Sequence, residues 1–210
     1  MDTTVDLYDI AAPFYDFFTA PLLKAARGII VRTAKTQKCR RILDVACGTG
    51  ELATMLAKAG LEVNGIDLSA AMLAVAGRKN HPGVAFFRGS AENLPFESSC
   101  FDCVTISLAL HEMEQNMRMG AAAEILRVLT QGGKLIVFDY APLYNRGSAL
   151  GLALMGLVEK MAGREHFRNF VRFTRSGGIK QLLEPFELTL ISSRFSFLGA
   201  LQVATFEKNW

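Results

Sequence analysis

Five short apolar runs punctuate the chain between Ile42 and Tyr140, and turns and stretches of helical period separate them. Ile42–Val45, Glu62–Asp67, Val84–Arg88, Phe101–Ser107 and Lys134–Tyr140 read as strands. Between the first and third of these, Glu51–Lys58 and Leu68–Arg78 repeat apolar residues at helical spacing, the second with Ser69 as its cap. Alternation of this kind predicts an α/β fold: a mostly parallel sheet with right-handed crossovers and helices on both faces, a Rossmann-like three-layer α/β/α sandwich. Further on, residues 176–183 read as a short helix. Glu187–Ile191 and Ala200–Phe206 read as two more strands joined by a turn at Gly199. Before the first strand, Leu22–Thr33 predicts a helix covering one edge of the sheet.

The segment from Ile42 to Ala53 carries the most chemistry. A buried strand runs into a turn with Gly48 and Gly50, where the backbone folds tightly and approaches a ligand closely, and a helix opens after it. Unpaired N–H groups and a partial positive charge at such a helix start suit a phosphate or a carboxylate. Gly48-x-Gly50-x-x-Ala53 satisfies a loose dinucleotide fingerprint, and Asp67, ending the second strand, suits a ribose. An NAD-type ligand and S-adenosylmethionine both fit so far. Asp44 separates them: a carboxylate beside the turn opposes a pyrophosphate and favours a ligand with an ammonium group, as the methionine end of S-adenosylmethionine has.

Together, Asp44-x-x-x-Gly-x-Gly50, Asp67-Leu-Ser-x-x-Met72, Ala91-Glu-x-Leu-Pro-Phe96, Phe101-Asp-x-Val104 and Val128-Leu-x-x-Gly-Gly133 resemble the class I S-adenosylmethionine-dependent methyltransferases. The nearest likeness, through Ala91–Phe96 and Phe101–Ser107, is to the ubiquinone and menaquinone biosynthesis C-methyltransferases. The resemblance implies a seven-stranded sheet that ends in an antiparallel hairpin, with S-adenosyl-L-methionine as cofactor. It implies that Asp44, Ala46, Cys47, Gly48, Thr49 and Gly50 surround the methionine moiety and that Asp67 accepts from both ribose hydroxyls. Leu68 and Met72 would pack near the adenine, Ser90 and Ala91 along its edge, and Ser107 near the methionine portion. Many relatives place Asp where this chain has Ser90.

Composition narrows the rest. The 210 residues are half apolar, which suits one domain: a helical cap over 1–38, a cofactor-binding core over 39–140, a helical substrate lid over 141–175, and a terminal helix and hairpin over 176–210. A formal net charge of +3 is no footprint for nucleic acid, and the cluster Lys35, Lys38, Arg40, Arg41 reads as a solvated connection. The start, with Asp2 and Asp6, lacks the positive region and apolar core of a signal peptide, so a cytoplasmic enzyme is expected. Cys100 and Cys103 have metal-like spacing, but alternation puts them on different faces of a strand, so no metal is expected and the cysteines read as small buried hydrophobes.

Substrate recognition falls to the remainder, and the expected partner is a small apolar or aromatic molecule. Tyr8–Asp16 is aromatic and acidic, similar to a segment that folds over the cofactor in many of these methyltransferases; Tyr15 is a candidate lid residue or a packed aromatic. Gly147–Val158 carries no charge and is shorter than the ~20 residues of a membrane span, so it reads as a buried or lid helix, with contact along a membrane surface as the rival. Phe167, Phe170 and Phe173 predict a core stripe, while Arg168 and Arg172 share another face and suit an anion on the substrate. His111, just past the fourth strand, is the candidate general base, with Glu112 as orienting partner or second acid; a structural histidine at a helix end is the competing reading. A binding subunit without catalysis and an NAD-dependent oxidoreductase are the alternatives from other classes. Nothing in the sequence fixes an oligomeric state.

Overall fold

The computed structural model describes residues 23–79 and 81–209. Seven strands form one sheet in the order β3-β2-β1-β4-β5-β7-β6: β1 Arg41–Val45, β2 Glu62–Asp67, β3 Val84–Arg88, β4 Phe101–Ser107, β5 Leu129–Tyr140, β6 Leu188–Ser196 and β7 Leu201–Lys208. The first five pair in parallel, and β7 pairs antiparallel with both β5 and β6. The fold is the expected one. Strands β5 and β6 run longer than the apolar pattern indicated, because β5 begins in the half-polar Leu129–Gly133 and β6 continues through an exposed edge.

The helices are α1 (23–36), α2 Glu51–Lys58, α3 Ala70–Arg78, α4 Gln115–Val128, α5 Arg146–Ala162, α6 Arg164–Arg175 and α7 Gly178–Leu183. Ser69 caps α3 as expected, its Oγ accepting from the Met72 N–H. Asn145 and Ser148 cap α5 reciprocally. Strand β1 is buried from Ile42 to Val45, and its successive side chains enter different cores. Leu43 and Val45 join α4 and α7; Ile42 joins α1, α2 and the inner faces of α5 and α6.

After β1 the chain steps outward to β2 and β3, then returns to the opposite side of β1 as β4. That reversal opens a crevice at the carboxyl ends of β1 and β4, where open α/β sheets bind ligands. Tight packing keeps the floor in place: a Cβ added at Gly65 of β2 would come within 2.8 Å of the Phe86 ring on β3 and 3.0 Å of Cys47 Sγ. Gly65→Ala therefore lowers the melting temperature by the equivalent of roughly 1–3 kcal/mol. Adding Phe86→Leu in the same chain recovers most of the loss. A double variant melting no higher than Gly65→Ala alone would show that the ring is not what glycine accommodates.

Candidate active site

One cavity of about 520 Å³ opens at the switch point. All the expected cofactor residues line it except Gly50: Asp44, Ala46, Cys47, Gly48, Thr49, Asp67, Leu68, Met72, Ser90, Ala91 and Ser107. Gly50 lies behind the wall, where a Cβ would strike Phe86 at 2.6 Å. Tyr15 and the segment Tyr8–Asp16 lie outside the described residues.

The turn is built largely from its own hydrogen bonds. Ala46, Gly48 and Gly50 take positive φ (53°, 54° and 69°), which bends the chain back on itself. The Cys47 N–H donates to Ile66 O, the Gly50 N–H to Cys47 O, and the Gly48 N–H to Asp67 Oδ2 at 2.7 Å. Asp67 also accepts at Oδ1 from the Ser69 N–H. The carboxylate that ends β2 is thus pinned to the turn that ends β1. These N–H groups are spent within the protein, and seven acidic residues, Asp44 and Asp67 at the turn among them, share the wall, so the site suits no pyrophosphate.

Asp44 decides what it does suit. Its Oδ1 accepts from Thr105 Oγ1 at 2.7 Å on the neighbouring strand, while Oδ2 is buried and lacks a hydrogen-bond partner among the described residues. Burial raises its pKa to about 7; the Thr105 hydroxyl and the Arg27 charge oppose the rise, and Asp67 adds to it. Ser107 Oγ and Asn169 Oδ1, on the same wall, are also buried without partners. A ligand with an ammonium group and further polar atoms would satisfy a set that the described residues leave incomplete. An S-adenosylmethionine-sized molecule fits this donor and acceptor pattern.

Arg27 was missed from sequence. It is buried on α1 among Leu23, Ala26 and Ile30 and is the sole Arg or Lys on the cavity wall among the described residues. An arginine in the apolar phase of a helix was the signal available.

His111 sits differently from expectation. It lies in the turn after β4, buried, and it is not part of the cavity wall. Its Nδ1 is 2.7 Å from Asp139 Oδ1 on β5, and its Nε2 is 3.5 Å from Glu159 Oε1 on α5 and 3.8 Å from Glu112. Tyr140 donates its hydroxyl to Glu159 at 2.7 Å. Burial by itself lowers the pKa of His111, but Asp139, then Glu159 and Glu112, more than reverse this and raise it to about 10. At neutral pH the ring is an imidazolium.

The loop around His111 is clamped from several directions. Asp139 accepts from the N–H groups of Leu110 and His111, and Arg118 donates to Leu110 O, His111 O and Asn169 O. Asn169 Nδ2 donates to Glu112 O at 2.7 Å. The outcome is that Glu112 and Met113 are held on the cavity wall beside Leu108, Met117 and Phe138. Phe170 and Phe173 are core residues as expected, and Phe167 is partly buried.

Comparison with known proteins agrees with this geometry. A family model described as a methyltransferase domain matches residues 42–133. The chain is 38% identical to a demethylmenaquinone methyltransferase of Chlorobaculum parvum over 93% of this chain and 84% of that protein. It is 37% identical to the protein of the same name from Renibacterium salmoninarum over 67% of this chain and 60% of that one. In four relatives so named the match spans 56–65% of their length, so the chain covers about three fifths of each. Among solved structures, magnesium protoporphyrin IX methyltransferase from Synechocystis with bound SAH superposes with TM-score 0.65 at 16% identity, covering 88% of this chain and 83% of that one. The PH0226 protein of Pyrococcus horikoshii gives 0.65 at 19% identity, covering 90% and 91%. These two show the shared fold. With a relative 38% identical over 93% of this chain, the protein belongs to the class I S-adenosylmethionine-dependent methyltransferases, near the menaquinone group, and S-adenosylmethionine is its cofactor.

Proposed function

We propose that this chain moves the methyl group of S-adenosylmethionine to a small, apolar or aromatic acceptor, with a reduced quinone-type ring as the class its relatives' names suggest. The observation that carries the reading is Asp44 Oδ2, a buried acceptor on the wall without a partner among the described residues. When bound, the cofactor supplies an electrophilic methyl on a sulfonium, so the protein's work is to align the acceptor, exclude water and accept a proton.

In this reading Asp44 takes the ammonium, Arg27 the carboxylate and Asp67 the ribose hydroxyls. Leu68 and Met72 pack near the adenine, with Ser90 and Ala91 at its edge and Ser107 toward the methionine. Leu108, Met113, Met117 and Phe138 give the acceptor an apolar seat. Glu112, on the wall, receives the proton the acceptor releases. His111 is a positioning residue: an imidazolium cannot take a proton, but paired with Asp139 it holds the loop that carries Glu112. No comparison supports the two alternatives, a non-catalytic partner subunit and an NAD-dependent oxidoreductase.

Parallel calorimetric titrations with S-adenosylmethionine, S-adenosylhomocysteine and NADH test the cofactor; binding of NADH alone would sink the proposal. Affinity for S-adenosylmethionine falls about tenfold per pH unit below pH 7, since Asp44 must lose its proton to hold an ammonium. Asp44→Asn abolishes this binding and raises the melting temperature of the empty protein at pH 8. The sign follows from the folded pKa of about 7 standing above the ordinary 3.8: the cost of the buried charge grows from pH 3.8 to 7 and is fully present beyond.

Transfer of labelled methyl to naphthoquinol-type acceptors tests the chemistry. Glu112→Gln lowers kcat by roughly 100-fold or more with cofactor affinity intact; an unchanged kcat removes Glu112 from the proton path. For His111 the folded pKa of about 10 exceeds the ordinary 6.5, so its stabilisation is complete below pH 6.5 and is lost as pH rises through 10. Thermal melts of His111→Gln accordingly lie below wild type at pH 7 and converge toward it by pH 10. Equal melts at every pH combined with abolished methyl transfer would restore His111 as the base.

A further inference from the structure

The apolar run Gly147–Val158, expected as a buried or lid helix with a membrane-surface contact as rival, has two faces and puts no residue on the cavity wall. Its inner side, with Gly151, Leu152, Gly156 and Glu159, packs on the protein. Its outer side displays Leu150, Leu154, Leu157, Val158 and Met161, between 43% and 86% exposed and spaced so that they form one stripe along α5. A stripe of this size that the described residues leave uncovered marks a contact surface.

Helix α6 carries a second stripe at the same spacing. Arg164, Arg168, Arg172 and Arg175 fall on its solvent face, and all four are exposed. Arg168 and Arg172 are not on the cavity wall, which removes them as anchors for an anion on the substrate. The two helices turn their inner faces to the same place: Glu159 of α5 accepts from the Tyr140 hydroxyl, and the Phe170 ring of α6 lies 4.7 Å from the Tyr140 ring. The helices are consecutive, joined at Gly163, and each carries an exposed outer face. Arg146 and Lys160 add two further exposed cations. Against them stands one exposed acid in residues 146–175, Glu165, and it is paired with Arg168 at 3.1 Å.

We propose that the outer faces of α5 and α6 dock this protein on an anionic lipid surface, with the leucine and methionine stripe in the acyl boundary and the arginine stripe against the headgroups. Exposed apolar residues beside clustered cations are what such a surface binds. Among the described residues no helix is long and apolar enough to cross a membrane, so the contact lies along the interface. A second copy of the chain fits less well, because a twofold contact through these faces would bring six exposed cations of one copy close to the same six of the other. The placement has a use: Glu165, His166 and Asn169 of α6 line the cavity, so an apolar acceptor dissolved in the bilayer would reach the mouth without crossing water.

The full chain is tested by flotation with phosphatidylcholine vesicles made with and without phosphatidylglycerol. Wild type floats with the anionic vesicles, releases as salt is raised, and binds neutral ones at least about tenfold more weakly. Leu157→Glu with Met161→Glu, and separately Arg172→Glu with Arg175→Glu, each weaken flotation about tenfold or more while melting temperature and S-adenosylhomocysteine affinity hold, which keeps this test apart from that of the cofactor site. Wild type remaining at the bottom at low salt, or variants floating like wild type, would overturn the proposal. So would a dimer in sedimentation that Leu157→Glu with Met161→Glu dissolves without any flotation, which would assign the stripe to a second copy.

Discussion

A buried ion pair between His111 and Asp139 organises the functional half of this molecule. Removing both charges from water costs several kcal/mol per ion, and a buried pair repays that only when its remaining hydrogen-bonding capacity is also met. Here it is. Asp139 accepts from the His111 ring and from the N–H groups of Leu110, His111 and Tyr140, while Glu159 faces the other ring nitrogen and takes the Tyr140 hydroxyl. The pair joins the end of β5 to the loop after β4 and, through Glu159, to α5. Loop, strand and helix α5 are thereby one unit.

The cofactor end follows the opposite rule. There the charges are arranged to be incomplete. Asp44 is buried with one oxygen unpartnered among the described residues, and Ser107 and Asn169 leave further acceptors open on the same wall. Left-handed φ at Ala46 and at Leu108, two non-glycine residues on that wall, adds backbone strain at the crevice. An enzyme that satisfied these groups internally would be more stable and have nothing to offer a ligand. In the proposed reading the two halves of the cavity divide the labour: a saturated network gives position on the acceptor side, and an unsaturated one gives affinity on the cofactor side.

Much of this was legible in the sequence because the periodicities are clean. Strands β1 to β5 and helices α2 and α3 were marked by their apolar spacing, and the pairing of Asp44 with Asp67 by the positions at which two strands end. The residues that the family resemblance assigned to the cofactor lie on the cavity wall, apart from Gly50, beside which a Cβ would strike Phe86. What the chain did not disclose is long-range. Nothing near His111 announces Asp139 or Glu159, which come 28 and 48 positions later; only the sheet order brings β5 beside β4. Glu159 stands just past the uncharged run on α5, and the inner face it occupies cannot be told from the outer one without knowing where Tyr140 lies. Arg27 was within reach, since an arginine in the apolar phase of α1 has to answer to something.

The sheet order also bears on how the chain is made. Strand β7 lies between β5 and β6, although β6 comes off the ribosome first. Until residues 201–208 emerge, β5 has an open edge toward that side and β6 has no neighbour at all, with Leu190 and Ile191 exposed along it. The parallel half can assemble during synthesis, but the sheet closes only when β7 has emerged to pair with both β5 and β6. For that interval the nascent protein exposes two strand edges to its surroundings, and chaperones or a second nascent copy compete with β7 for them.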